Sequence, residues 1–364
     1  RRNGTCEITF KRKGSMQMPL DFVVIDKNDS ARHYYIPNTW FEKTTGATTL
    51  PRWIGWGPKL KTSYTATLNI NSRIHNVIID PSYRMADVNM IDNAKRNRVS
   101  LRFDSKIYNP PNWKKYDMRI RPGIWYNGYD GVKFGAVLSG DYLNTRHVFE
   151  LGAWLSSGLG QAWLDDTVRI NKFNKVSFLF DYKTSTHSFI KRSAVYLQAK
   201  SLDGLDGGLL GFEKKSNNER TRIYTHLKAM WRDMPQDLVY LINDREWGYR
   251  KLNSAMHFGM EHNYRYKRGA GSVHIAARTA AFTEDYDFSA ASFTGINRTE
   301  LGPISLRTPV FGQIGFGSRL PSESMLFVAG ANNEQLMDNK YTRSMGFIPK
   351  DWGNYGNVTN HFTA

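Results

Sequence analysis

The chain is nearly devoid of cysteine. Cys6 stands alone among 364 residues, so no internal disulfide can form and zinc sites built from several cysteines are excluded. Long apolar runs are missing as well. No stretch approaches the roughly 20 apolar residues that a membrane-spanning helix requires. That excludes a helical membrane protein but not a membrane β-barrel, whose strands are only half apolar. Acidic residues are in the minority: 33 Asp and Glu face 50 Lys and Arg, a net charge of +17. The basic residues are scattered through alternating stretches with no concentrated patch, which argues against nucleic acid as a partner. Anionic lipid and lipopolysaccharide at a membrane surface suit this charge better. No fixed repeat period occurs, which argues against a propeller.

Catalytic motifs are also missing. There is no HExxH, no serine-centred nucleophile elbow and no phosphate loop. Gly312-Gln313-Ile314-Gly315-Phe316-Gly317 lacks the Lys-Ser/Thr end and lies in a strand-like run. The nearest metal-like group is His257, Glu261 and His262. In a strand, His257 and Glu261 share a face but stand about 13 Å apart at ~3.3 Å per residue, and His262 points the other way. One metal cannot use all three. Asp203 and Asp206 read as solvated acids of a glycine turn, with too few oxygen ligands for calcium. Asp244 and Glu246 beside Trp247 could pair in a cleft. Asp80, Arg84 and Asp87 suggest a structural ion-pair network. No catalytic, cofactor-binding or metal-binding residue is therefore assigned in this chain.

Aromatic residues are plentiful, at 13%. Residues 116–142 show how they are used. Asn127, Gly128, Asp130 and Gly131 mark a hairpin turn. After it, Val132, Phe134, Ala136 and Leu138 alternate with Lys133, Gly135, Val137 and Ser139. Trp125 and Tyr126 lie where interfacial aromatics of a membrane strand would sit. The alternation recurs at 149–156, 175–182, 194–199, 221–231, 255–266, 273–279, 304–313 and 325–329. These make about ten candidate strands, many near the 9–11 residues that a tilted strand needs to cross a bilayer. Phe178 falls on the outward face and Ser177 on the other.

The first part of the chain reads differently. Short runs at 7–12, 21–25, 33–36, 63–70 and 74–79 are separated by turn signals, as in a small sandwich. Polar residues 92–98 and Asn109-Pro110-Pro111-Asn112 mark a boundary. The expected organisation is an all-β chain: a β-sandwich over 1–94, a linker over 95–115, and a transmembrane antiparallel β-barrel over 116–364, incomplete in this chain. The start RRNGTCEITF has neither initiator Met nor a signal-type core, so both ends are expected to be cuts within a longer polypeptide.

Three stretches carry a resemblance: residues 11–20 (KRKGSMQMPL), Tyr35-Ile36-Pro37, and residues 77–89 (VIIDPSYRMADVN). They resemble the β-sandwich that follows the catalytic domain in aminopeptidase N-type zinc metallopeptidases, the gluzincins, and most closely the long Bacteroidota members. Arg121-Pro122-Gly123 through Gly135 resembles the start of the outer-membrane barrel that follows the sandwich there. The resemblance implies a barrel-anchored, metallopeptidase-like protein of the bacterial outer membrane, of which this chain is the non-catalytic C-terminal part. The family's catalytic residues match no position here. Zinc is expected only in a domain before Arg1, and the barrel is expected to continue past Ala364. The alternative is a non-enzymatic barrel or scaffold subunit that docks other outer-membrane proteins. A soluble β-rich lectin or adhesin fragment is a third.

Overall fold

The computed structural model describes residues 5–12, 16–55, 61–87, 89–96, 98–105, 107–127, 129–161, 175–233, 240–241, 247–326 and 332–337. Their regular secondary structure is almost all strand. The chain divides into two compact units, one of Arg1–Leu101 with Tyr108–Asp117, the other of Arg102–Ile107 with Met118–Ala364.

The first unit holds β1 (Thr5–Lys11), β2 (Leu20–Asp26), β3 (Ala31–Ile36), β4 (Thr48–Thr49), β5 (Ser63–Asn69) and β6 (Ile74–Ile79). β1 pairs with β5, and the other four form a sheet in the order β4-β3-β2-β6. Alternation aims Leu20, Phe22 and Val24 of β2 and Ala66 and Leu68 of β5 into one core shared by both sheets. Phe10 and Phe22 meet there with ring centroids 4.7 Å apart. The tight turn between β2 and β3 follows from Asp26, whose carboxylate accepts the N–H groups of Asn28 and Ser30 at 2.8 and 3.0 Å. The ion-pair network expected around Asp80 is replaced by backbone capping. Asp80 accepts from the Met85 N–H at 2.6 Å and the Ser82 hydroxyl at 3.1 Å. Asp87 accepts from the Asn89 N–H, and Arg84 is exposed.

The stretch expected to be a linker contains a strand, β7 (Val99–Phe103). It belongs to a 12-stranded sheet with β8 (Tyr116–Asn127), β9 (Gly131–Tyr142), β10 (Arg146–Ser156), β11 (Val176–Ser185), β12 (Ser193–Leu202), β13 (Leu205–Lys215), β14 (Thr221–Trp231), β15 (Asn253–Tyr266), β16 (Gly269–Ala280), β17 (Asp287–Leu301) and β18 (Ile304–Arg319). From β9 to β18 each strand pairs antiparallel with the next. The hairpin expected within 116–142 is β8 and β9. Two strands lack a clear sequence signal. The glycines of β13 imitate a turn, but the turn is only Asp203-Gly204. β17 is rich in Ser, Thr and Asn, which blurs its alternation. The strand expected at 325–329 is not formed at Met325 and Leu326, which follow a 3₁₀ turn (Ser322–Ser324); residues 327–329 lie outside those described. A single short helix, α1 (Asn333–Leu336), comes after it among the described residues.

The sheet has two unlike faces. Across β14 to β17, Ile223, Met260, Ile275 and Phe293 are direct cross-strand partners, and all are exposed. Phe134, Leu151, Phe178, Leu210 and Phe258 are exposed in the same way on their strands. Phe178 is outward as expected, and Ser177 is fully buried. Trp125 departs from expectation. It turns inward and meets Trp154 edge to face at 6.3 Å, while its neighbours Ile124 and Tyr126 are exposed. On the opposite face the sheet curls enough for residues from β8 to β17 to border one cavity with many polar side chains, while the other end of this face carries the buried apolar cluster of Val137, Trp154, Leu179 and Leu202. At the far edge every residue of β18 is exposed, and among the described strands it pairs only with β17. No helix among the described residues is long and apolar enough to cross a membrane.

Candidate functional site: the polar chamber and its closed end

The cavity on the inner face has a volume of about 1010 Å³. Its lining comes from the strand halves nearest the connections 143–145, 186–192, 216–220 and 267–268. Glu213 on β13 sits between two cations, Lys183 Nζ at 2.6 Å and Arg222 Nε at 3.1 Å. Arg222 also reaches Glu261 on β15 at 3.5 Å. Arg119 pairs with Asp141, and Gln198 donates to Asp181 at 2.7 Å. Rings form a second row. The Tyr196 hydroxyl lies 3.2 Å from His226 Nδ1, and the Tyr224 hydroxyl lies 2.8 Å from His274 Nε2. His226 stacks on His257 at 4.5 Å.

Glycines keep this row flat. Tyr196 lies directly opposite Gly211, and Tyr224 opposite Gly259. A Cβ at Gly211 would come within 2.3 Å of the Tyr196 ring, and one at Gly259 within 2.2 Å of the Tyr224 ring. Each tyrosine therefore lies across its neighbour strand instead of standing up into the cavity. A Tyr facing a Gly across two adjacent strands is a signal that sequence could have offered once the register was known.

The other end of the inner face is filled. Lys133 Nζ, fully buried, contacts Asp130 at 2.5 Å and Asp203 at 3.1 Å, and lies 4.7 Å from the Trp125 ring centroid. The Tyr240 hydroxyl donates to Asp130 at 2.5 Å. Arg232, also fully buried, donates to the Asp203 carbonyl at 2.8 Å and covers Trp247. Burial pushes the Asp130 carboxyl above its ordinary range, with the Lys133 ammonium opposing. Asp203 is thus part of a buried ion cluster, not the solvated turn acid expected from sequence. Asp206 remains exposed.

The chain after β18 returns to this filled end. Glu334 on α1 is held by Lys228 of β14 at 2.8 Å, by Arg278 of β16 at 3.1 Å and by the Ser324 hydroxyl at 2.6 Å. Lys200 of β12 donates to the Met337 carbonyl at 3.0 Å. Asn253 of β15 donates to Glu323 and Ser324 at 2.8 and 3.0 Å. Burial alone would raise the Glu334 carboxyl, but Lys228 and Arg278 outweigh it and bring it down to about 2 from an ordinary 4.5. A carboxylate lowered by folding adds stability that is complete above its unfolded value and fades as pH falls through its folded value. The groups facing it are the cations Lys228 and Arg278 and the titratable His257 and Glu323. The docking of α1 is therefore expected to hold at neutral pH and to weaken between about pH 4.5 and 2. Hydrogen exchange of the α1 amides against pH checks this. Protection that stays constant down to pH 2 would contradict the pairing.

Among the described residues no group of three or more His, Cys, Asp and Glu is placed to hold a metal. His257 stacks on His226, Glu261 pairs with Arg222, and His262 lies on the outer face, 2.9 Å from the Thr221 hydroxyl. Asp244 and Glu246 lie outside the described residues, while Trp247 is buried with Leu205, Met230, Leu241 and Met337. No family model, curated protein or solved structure matches the chain.

Proposed function

We propose that this chain is the membrane-anchoring part of a metallopeptidase-like protein of the bacterial outer membrane. Its first unit is a β-sandwich, and its second forms most of a transmembrane barrel. The observation that carries the barrel reading is the two-faced sheet. A soluble sheet of this size buries its apolar face under a second layer. Here the apolar face carries exposed Phe134, Leu151, Phe178, Leu210, Phe258 and Phe293, while the opposite face surrounds a chamber. Bilayer hydrocarbon is the environment that such a face fits. The open edge of β18 fits the same reading, because an exposed edge strand with Ile304, Leu306, Val310, Ile314 and Phe316 invites a further strand. Peptide hydrolysis rests on the resemblance in the first ninety residues, and the zinc and its general base would belong to another part of the protein.

A second reading, a non-enzymatic barrel and scaffold subunit, draws on one feature of the first unit. Trp40, Phe41 and Ile54 are 73%, 53% and 60% exposed on adjoining segments, as a protein-docking surface would have them. One experiment separates the readings: extraction of the protein from its membranes, followed by intact mass and zinc content. Detergent-dependent extraction, faster gel migration before boiling, a mass above 41.8 kDa and one zinc per chain are expected. A larger mass without zinc would favour the scaffold. Extraction by buffer alone would overturn the barrel.

A further inference from the structure

Three strands change character in the same order along the outer face. On β15, Phe258 and Met260 come first, then Tyr264 and Tyr266, and then Lys267-Arg268 in the turn. On β11, Phe178 and Phe180 are followed by Tyr182, and Lys191 lies in the connection beyond. On β13 the order is Leu210, Phe212, Lys214. The two tyrosines of β15 are held flat on the sheet. Their hydroxyls lie near Asn297 Oδ1 of β17, at 3.2 and 3.1 Å. They cross β16 over Gly271 and Gly269, where an added Cβ would collide with them. Apolar, then aromatic, then cationic is the order a strand meets on leaving bilayer hydrocarbon, crossing the interface and reaching the phosphates.

The charge at this end is lopsided. Residues 186–192, 214–220, 265–268 and 298–307 hold ten Lys and Arg, all exposed, against two acids, Glu219 and Glu300. The connections here are two to seven residues long, whereas 157–175 and 232–252 at the other end are far longer. Outer-membrane barrels put short turns on the periplasmic side, where the leaflet is phospholipid, and long loops outside. We propose that this end docks on the phosphates of anionic phospholipid. Lys191, Lys214, Lys267 and Arg268 are its headgroup ligands, and Tyr182, Tyr264 and Tyr266 lie at the interface level. Lipopolysaccharide, in the other leaflet, does not meet it. The proposal rests on the membrane reading of the outer face and adds the lipid class and the leaflet.

The test uses the full chain folded into vesicles of phosphatidylcholine alone or mixed with phosphatidylglycerol. It compares the unmodified protein with a variant combining Lys191→Gln, Lys214→Gln, Lys267→Gln and Arg268→Gln. Among the described residues none of these four side chains has a hydrogen-bond or ion-pair partner, so the variant is expected to fold. Should it not, Lys267→Gln with Arg268→Gln reads the same loss from one turn. The control is Arg250→Gln with Lys251→Gln, exposed cations at the opposite strand ends. Lipid retained after extraction in mild detergent is quantified, and flotation with the vesicles reports attachment. Each Lys or Arg near an anionic surface strengthens attraction about fivefold, so the unmodified chain is expected to favour phosphatidylglycerol about tenfold or more over its share in the vesicle. The combined variant is expected to lose most of that preference, the control to keep it, and added salt to weaken it. Equal preference in the unmodified chain and the combined variant, or an equal loss in the control, would overturn the docking and leave the membrane span intact. A chain that floats only with the anionic vesicles, and leaves them in salt without detergent, overturns the span. The docking then stands if the combined variant no longer floats and falls if it still does. A chain that floats with neither vesicle overturns both.

Discussion

Lys133→Met is expected to destabilise the second unit by about 3–5 kcal/mol, the usual cost of removing one partner from a buried ion pair. The ammonium is fully buried between Asp130 and Asp203, which lie on segments joined only by tertiary pairing. Methionine matches its length but leaves two carboxylates close together in a site that water does not reach. Both must then be neutralised or solvated. The sign of the pH dependence follows. Burial already pushes the Asp130 carboxyl up, and loss of the ammonium removes the main force holding it down. A carboxyl raised by folding adds stability at low pH and loses it as pH rises through its folded value. The defect of Lys133→Met should therefore shrink on acidification. The triple variant with Asp130→Asn and Asp203→Asn should recover part of the loss at neutral pH. Urea unfolding of the three proteins across pH measures this. A Lys133→Met defect that is independent of pH would mean that the cluster does not carry the charges assigned to it.

How far such a cluster can be read from sequence depends on register. The alternation of 116–142 is legible because hydrophobic and polar positions switch at every residue, and β8 and β9 form there with the expected turn between them. Phe178 and Ser177 are assigned to opposite faces by the same rule. The rule says which face a residue takes but not which residue it meets. Lys133 finds Asp203 seventy positions later, and Glu334 finds Lys228 and Arg278 from a four-residue helix. Only the full order of strands brings these together. β13 is hidden because Gly207 and Gly208 extend the apparent turn that starts at Asp203-Gly204. In the sheet, Gly211 is the space that Tyr196 occupies, and a Cβ at Gly207 would lie 3.2 Å from the Lys200 side chain. The place of Trp125 near the strand end suggests an interfacial girdle. Its phase against Ile124 and Tyr126 puts it inside, under Lys133. Position along the strand favours the first reading, and the period of two decides for the second.

The outer face provides the largest test of the membrane itself. Phe178→Arg is expected to cost about 2–4 kcal/mol for a chain folded into lipid vesicles, if Phe178 lies near the bilayer midplane. Its phenyl group is 40% exposed on β11, so little packing is lost and the cost comes from placing a guanidinium in hydrocarbon. The neighbouring Ser177 makes a poor control. It is fully buried and lies 3.4 Å from Lys133 Nζ, so an arginine there would disrupt the ion cluster for a different reason. Thr184→Arg is the better comparison, because Thr184 shares the face of Phe178 and is next to the last residue of β11; its hydroxyl accepts the His147 N–H at 3.2 Å, so Thr184→Ala is measured beside it to subtract that loss. In a bilayer the penalty falls towards the interface, to about 0–1 kcal/mol. The expected result is a steep loss at Phe178 and a small one at Thr184, measured by urea titration of protein folded in vesicles. A soluble sheet has water along its whole exposed face and sets no such gradient. Equal, small costs at both positions would show that this face meets water, and would remove the main support for a membrane barrel.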